Sequence, residues 1–247
     1  YSMIAIFKKE LSAFFYSPIG YLIVLLFLVL NGLFLWVFRQ GFNIFDYGFA
    51  DLSNFFQLMP WVFLFLVPAL TMRSFSEEKK LGTLELLIIK PISIIKVTLG
   101  KFFGVVVVGI IALIPTFIYV LAIADLGTTY GNYDIGLIIG SYFGTFFLLA
   151  LYCSLGLFAS ALSESQIVAF IIGATLCFFL FYGGEALATL FSDGATQQLI
   201  KSFGAKAHFE DISTGVLDTK DLIYFLSISA FMLYVTSIRL SKQTAEH

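Results

Sequence analysis

The chain has 247 residues, of which 60% are apolar, 18% aromatic and only 12% charged, with a formal net charge of −2. An ordinary soluble domain carries about 25% charged residues, so these figures exclude one and identify an integral membrane protein. No basic or acidic tail offers a nucleic-acid surface. Cys153 and Cys177 lie inside apolar runs, where buried thiols are expected rather than a disulfide or metal site.

Residues 3–16 place Ile4, Phe7, Leu11 and Phe14 on one helical face and Lys8, Lys9 and Ser12 elsewhere, the pattern of a helix lying in the membrane interface. The competing reading extends it into the first span, but Pro18 and Gly20 favour a break. Crossing roughly 30 Å of hydrocarbon takes about 20 residues. Spans of that kind are expected at about 18–38, 52–72, 98–124, 135–162, 166–184 and 221–240. Ser163-Glu164-Ser165-Gln166 is polar enough to turn the chain between the fourth and fifth, and Asp221 and Arg239 mark the ends of the sixth. Pro60, Pro68 and Pro115 read either as hinges or as ordinary membrane-helix prolines.

If the N-terminus is cytoplasmic, the inner segments hold Lys8, Lys9, Arg73, Lys79, Lys80, Lys90, Lys96, Lys101, Arg239 and Lys242. The outer ones hold Arg39, Lys201, Lys206 and Lys220. That bias places both termini in the cytoplasm. Between spans two and three lies a charged island, residues 73–91. Ser74 and Glu77 have capping-box spacing, which predicts a short helix starting there. Arg73 and Glu77 can also form an i,i+4 pair. Gly82 and Thr83 interrupt the island, Thr83 can cap a further segment built on Leu84, Leu86, Leu87 and Ile88, and Pro91 ends it.

After the fifth span, Gly183-Gly184 reads as a break. Residues 185–203 are expected to form a re-entrant or surface-lying pair, followed by an outer loop through His208–Ser213, within an outer segment at 185–219. Glu185 reads equally as a functional carboxylate near the bilayer or as a charge at headgroup level. His208, with Glu210 and Asp211, reads as part of a solvated loop.

The chain lacks a Gly-x-x-x-x-Gly-Lys-Ser/Thr phosphate cradle, a Gly-x-Ser-x-Gly elbow and a metal-ligand cluster, and its spans lack midplane carboxylates. Energy for work would then come from another protein. Lipid-facing packing accounts for the aromatic load, which supports no cargo assignment.

Arg73-Ser-Phe-Ser-Glu-Glu-Lys-Lys-x-Gly-Thr-Leu-Glu-Leu-Leu, followed by Lys-Pro-Ile-Ser and Leu99-Gly-Lys101, resembles the cytoplasmic coupling segment of ABC-2 type permeases, the membrane subunits of ABC exporters. The likeness extends to the layout of the whole chain, residues 1–247, as a single domain. Three segments are most similar to the gliding-motility branch: Glu10-Leu-x-x-Phe-Phe-x-Ser-Pro-Ile-Gly-Tyr21, Glu164-x-Gln-Ile-Val-Ala-Phe170 and His208-Phe-Glu-Asp-Ile-Ser-x-Gly-Val-Leu-Asp218. Permeases of the nitrous-oxide-reductase maturation type share much of this pattern.

The resemblance implies an all-α membrane protein of the bacterial inner membrane, with six transmembrane helices, an N-terminal interfacial helix, a cytoplasmic coupling helix and outer re-entrant helices. It implies a partner dimer of ABC ATPase subunits, a second permease copy or homologous permease subunit, and ATP-Mg bound to the ATPase alone. The ATPase would dock on Glu77, Glu78, Lys79, Lys80, Gly82, Thr83, Leu84 and Glu85, with a second contact at Ser163, Glu164 and Ser165. Gly183, Gly184 and Glu185 would belong to the outer gate. The rival reading is a non-transporting scaffold that anchors cytosolic machinery.

Overall fold

A computed structural model of the protein describes residues 3–39, 41–84, 92–127 and 129–245, with side chains to 243. Its helices are α1 (Met3–Tyr16), α2 (Pro18–Gly32, prolonged by a π-helical turn Leu33–Val37), α3 (Ile44–Tyr47), α4 (Ser53–Thr71) and α5 (Arg73–Lys80). Then follow α6 (Ile94–Leu113), a 3-10 turn Ile114–Thr116, α7 (Phe117–Leu126), α8 (Ile135–Leu162), α9 (Gln166–Ala188), α10 (Gly194–Lys201), α11 (Ala205–Ser213) and α12 (Thr219–Ala245). Among the described residues there is no strand. In hydrocarbon every backbone amide needs a partner, and a helix supplies one within the segment.

Six helical stretches are long and apolar enough to cross a membrane: Pro18–Val37, Ser53–Lys80, Ile94–Leu126, Ile135–Leu162, Gln166–Ala188 and Thr219–Gln243. Their starts carry recognisable chemistry. Ser17 accepts from the Ile19 amide and Pro18 occupies the first helical turn, where its missing N–H costs nothing. Asp134 caps α8 through Leu137, and Ser165 caps α9 through Val168. Pro115 falls in the 3-10 turn that joins α6 to α7, whereas Pro60 and Pro68 lie inside α4 without dividing it.

Strict alternation of the spans gathers α1, α5, the 163–165 turn and the end of α12 at one end of the bundle, here the α5 end. The other end holds α3, α10 and α11. The most buried spans are α4 and α8. α8 is the axis, packed by α12, α9, α4, α11, α5 and α6. Its small residues let neighbours approach, which replaces the hydrophobic driving force that helices lack in lipid. At Gly156 a Cβ would collide with the Thr71 side chain of α4. α1 lies along α6, where a Cβ at Gly104 would sit 2.9 Å from the Cβ of Glu10.

Several expectations are corrected. The helix does not restart at Ser74: Met72 keeps helical angles (φ −54°, ψ −30°), Ser74 makes no side-chain cap, and α5 prolongs α4. Gly183-Gly184 does not end the fifth span, because α9 runs on to Ala188. A helix-interior glycine costs about 1 kcal/mol relative to alanine, less than stranding backbone groups in lipid. The helix pair beyond it is 194–201 with 205–213, so His208–Ser213 is helix and not loop. The expected segment on Leu86, Leu87 and Ile88, its stop at Pro91 and the role of Glu85 fall outside the described residues.

Candidate functional site

At the α5 end, the polar island is held from three sides. The free amides at the start of α5 are served by another helix: Ser160 Oγ of α8 accepts from Phe75 N (3.0 Å) and Ser76 N (3.1 Å) and donates to the Met72 carbonyl (3.0 Å). Capping is therefore done in trans, which explains why Ser74 is not needed for it. Ser76 Oγ also bonds the Met72 carbonyl. Lys79 donates to the Ala161 carbonyl at the C-terminal turn of α8, where a cation complements the helix dipole.

The second brace is ionic. Lys101 Nζ, only 2% exposed, lies 3.1 Å from Glu78, 3.2 Å from Glu10 of α1 and 2.6 Å from the Ser74 carbonyl. It also sits 5.1 Å above the Phe75 ring. Lys9 of α1 reaches the other oxygen of Glu78 at 2.9 Å. One buried ammonium thus ties α1, α5 and α6 together, a geometry that is stable only because its acceptors are all in place. The third brace is Arg73, which grips Glu77 with two nitrogens (2.9 and 3.3 Å) and donates to Ser17 Oγ between α1 and α2 (3.2 Å).

What remains for a partner is the tip. Lys80, Leu81, Gly82 and Thr83 are exposed, while Leu84 is buried. Gly82 has φ +65°, the left-handed angle that ends a helix and that other residues adopt at a cost. Thr83 Oγ1 donates back to the Glu78 carbonyl (3.3 Å) and so helps close α5; the segment it was expected to cap lies outside the described residues. Lys80 borders a shallow depression with Glu164, Ser165, Gln166 and Ile167. The turn there is set by Ser163 Oγ, which accepts from the Ser165 amide at 3.0 Å.

The sequence-expected residues therefore divide. Lys80 is brought beside Glu164 and Ser165, and Gly82 and Thr83 extend the same exposed tip. Glu77, Glu78 and Lys79 are turned inward to Arg73, Lys101 and α8. Lys101, Glu10 and Ser160 were missed. Ser93, the residue before α6, is a helix-start signal that would have placed Lys101 two turns inside the helix. Nothing local announces Ser160, which acts across more than 80 residues.

At the opposite end, Glu185 pairs with Lys206, which is 3.8 Å from Glu210 and 5.8 Å from the Tyr182 ring centre. His208 is not solvated: Nδ1 is 2.6 Å from the fully buried Asp221, Nε2 is 2.8 Å from the Ser202 carbonyl, and the ring stacks on Tyr224. Asp193 caps α10; its bonds from Thr196, hydroxyl first and amide second, hold its carboxyl below the usual range. Cys153 and Cys177 are buried and free. Among the described residues no group of three or more His, Cys, Asp or Glu could hold a metal ion.

A family model described as "ABC-2 family transporter protein" matches residues 4–244. No curated protein matches the chain.

Proposed function

The chain belongs to the ABC-2 transporter family, multi-pass membrane components of ABC systems that work with a separate ABC ATPase, and from that premise we propose that the α5 end is where the ATPase drives it. The observation that carries this reading is the division of labour at that end. The exposed tip, Lys80–Thr83, stands beside the Ser163–Glu164–Ser165 turn, while every inward-facing charge braces the tip to α1, α6 and α8. A push on the tip is thereby delivered to the axial helix of the bundle. In this reading Lys80, Gly82, Thr83, Glu164 and Ser165 meet the ATPase. Glu77, Glu78 and Lys79 are positioning residues.

The α5 end is assigned to the cytoplasm, with both termini. Ten of the 14 lysines and arginines belong to segments on that side, the asymmetry expected of inner loops. The membrane is then a bacterial inner membrane. Two ATPase subunits carry ATP-Mg, and the permease pairs with a second copy or a homologous subunit. The ATP-driven closure of the ATPase pair rotates the spans between inward-open and outward-open arrangements. Glu185, pinned to Lys206, fastens α9 to the α10–α11 pair that we assign as the outer gate. We further propose, from the likeness of residues 10–21, 164–170 and 208–218 to gliding-motility permeases, that the work is export or force transmission for motility.

The test is a combined variant, Lys80→Glu, Leu81→Asp and Glu164→Lys, scored by ATPase co-purification from native membranes. Among the described residues Lys80 and Leu81 make no bracing bond and Glu164 reaches the brace only through its charge near Lys79, so the spans should fold, as monodispersity in detergent would check, and the ATPase should be lost by tenfold or more. Undiminished co-purification would overturn the docking assignment. Retained binding with no nucleotide-dependent change in cysteine accessibility along the spans would favour a static scaffold.

A further inference from the structure

The turn between α10 and α11 is tied to the sixth span through one side chain. His208 of α11 is 12% exposed, and both of its ring nitrogens face an oxygen. Nδ1 is 2.6 Å from Oδ1 of Asp221 at the start of α12, and Nε2 is 2.8 Å from the Ser202 carbonyl in the turn. The ring also stacks on Tyr224, with 4.0 Å between ring centres, and the Tyr224 hydroxyl donates to the neighbouring Phe203 carbonyl at 2.7 Å. The same turn rests on α9, where a Cβ at Gly184 would lie 3.0 Å from the Gly204 nitrogen and the Ile200 carbonyl oxygen.

Two oxygens at hydrogen-bond distance call for two N–H donors, and of the forms of the ring only the imidazolium has both. In a neutral ring one nitrogen turns its lone pair on an oxygen. Asp221 strengthens the demand: its carboxylate is fully buried and its Oδ2 has no hydrogen-bond partner among the described residues, so the ring is the cation that touches it. A cation over the Tyr224 face gains further attraction.

The other charged groups of this end are engaged elsewhere. On α11, Lys206 is taken by Glu185 of α9 and lies 3.8 Å from Glu210, while Asp211 pairs with Lys220 at 3.3 Å. Lys220 also stands 3.7 Å from Asp218 and senses Asp221 through its charge. Lys201, at the end of α10, is exposed, and Tyr182 of α9 faces Lys206. α8, which packs on both α11 and α12, carries no charged residue, and its cap Asp134 accepts from its own Leu137. The charged residues of α6, Lys96 and Lys101, lie at the opposite end of the bundle.

We propose that His208 is a proton-operated latch: with both nitrogens protonated it pins the α10–α11 turn to α12, and loss of one proton frees the turn. Histidine is the side chain that ordinarily changes charge between about pH 5 and 8. The protonated form makes both bonds, so acid closes the latch and rising pH opens it. Once open, the pair is held through the more exposed ties Lys206–Glu185 and Lys220–Asp211. With this end outside, as assigned above, the latch reads the pH of the outer compartment; its contacts depend neither on that assignment nor on where the ATPase docks.

His208 and His247 are the only histidines, so the full chain carrying His247→Gln and 15N-labelled histidine, in lipid nanodiscs, reports His208 alone. At about pH 5.5 both ring nitrogens should show the magnetic-resonance signature of the imidazolium, and raising the pH should convert one of them to the unprotonated form. Amide-exchange protection of residues 194–213, corrected for the pH dependence of free exchange, should fall over the same pH range by at least about tenfold while that of α8 stays unchanged. The double variant His208→Gln with Asp221→Asn, which leaves no buried charge behind, should lose that pH dependence. A neutral ring at about pH 5.5, a ring that keeps both protons to about pH 9, or deprotonation with protection unchanged would each overturn the latch. So would a double variant that keeps the parent's pH profile, which would assign the effect to another group.

Discussion

Lys101 is the residue on which the α5 end depends. Its ammonium is almost fully buried, and Glu10, Glu78 and the Ser74 carbonyl are the acceptors that keep it charged there. Removing one partner of such a group leaves the others uncompensated, which costs about 3–5 kcal/mol. Lys101→Met should therefore lower unfolding stability by that amount in detergent, and adding Glu78→Gln should cost less than the sum of the two single changes. Lys9, whose side chain is 58% exposed, pairs with the same Glu78 but in high dielectric, so Lys9→Ala should change stability by only about 0–1 kcal/mol. His208→Ala is expected to resemble Lys101→Met, since it strands the buried Asp221 carboxylate; a thermal unfolding midpoint indistinguishable from the parent would contradict that. The sequence made the charges of this end visible but, apart from the Arg73–Glu77 pair at i,i+4, not their partners. Glu78 and Lys80 look alike two residues apart, and only the packing of α1 and α6 turns one inward.

Among the helices, the α4–α8 contact joins the two most buried spans. Thr71 donates to the Val67 carbonyl at 2.9 Å and is fully buried, so its side chain cannot swing aside when Gly156 gains a methyl group. Gly156→Ala should cost about 1–3 kcal/mol through overpacking, and Thr71→Ala in the same chain should recover most of it, as read by unfolding in mixed micelles. A double variant no more stable than Gly156→Ala alone would show that the contact is not the cause. The spans were legible throughout, because apolar length is a local property, whereas the short helices α3 and α11 were not. Helix junctions were not. The start of α5 depends on Ser160 from α8, and the continuity of α9 through Gly183-Gly184 depends on the absence of water to replace its backbone bonds.

The whole molecule is a bundle with α8 at its axis, one polar end fastened to that axis and an opposite end fastened by Glu185–Lys206 and His208–Asp221. The six spans and the all-helical class could be read from composition and hydropathy. The site could be read only in outline: the 73–83 and 163–165 stretches were visible as polar islands, whereas their juxtaposition required the fold. The central claim is that the tip at Lys80–Thr83 faces the cytoplasm and receives the ATPase. The most direct measurement places a photoreactive amino acid at Leu81, which is 66% exposed, and separately at Leu199 on the opposite end, also 66% exposed, in native membranes. Irradiation should cross-link an ABC ATPase to position 81 and none to position 199. An ATPase captured at 199, or a tip at 81 that reacts with membrane-impermeant reagents applied from outside the cell, would contradict the account.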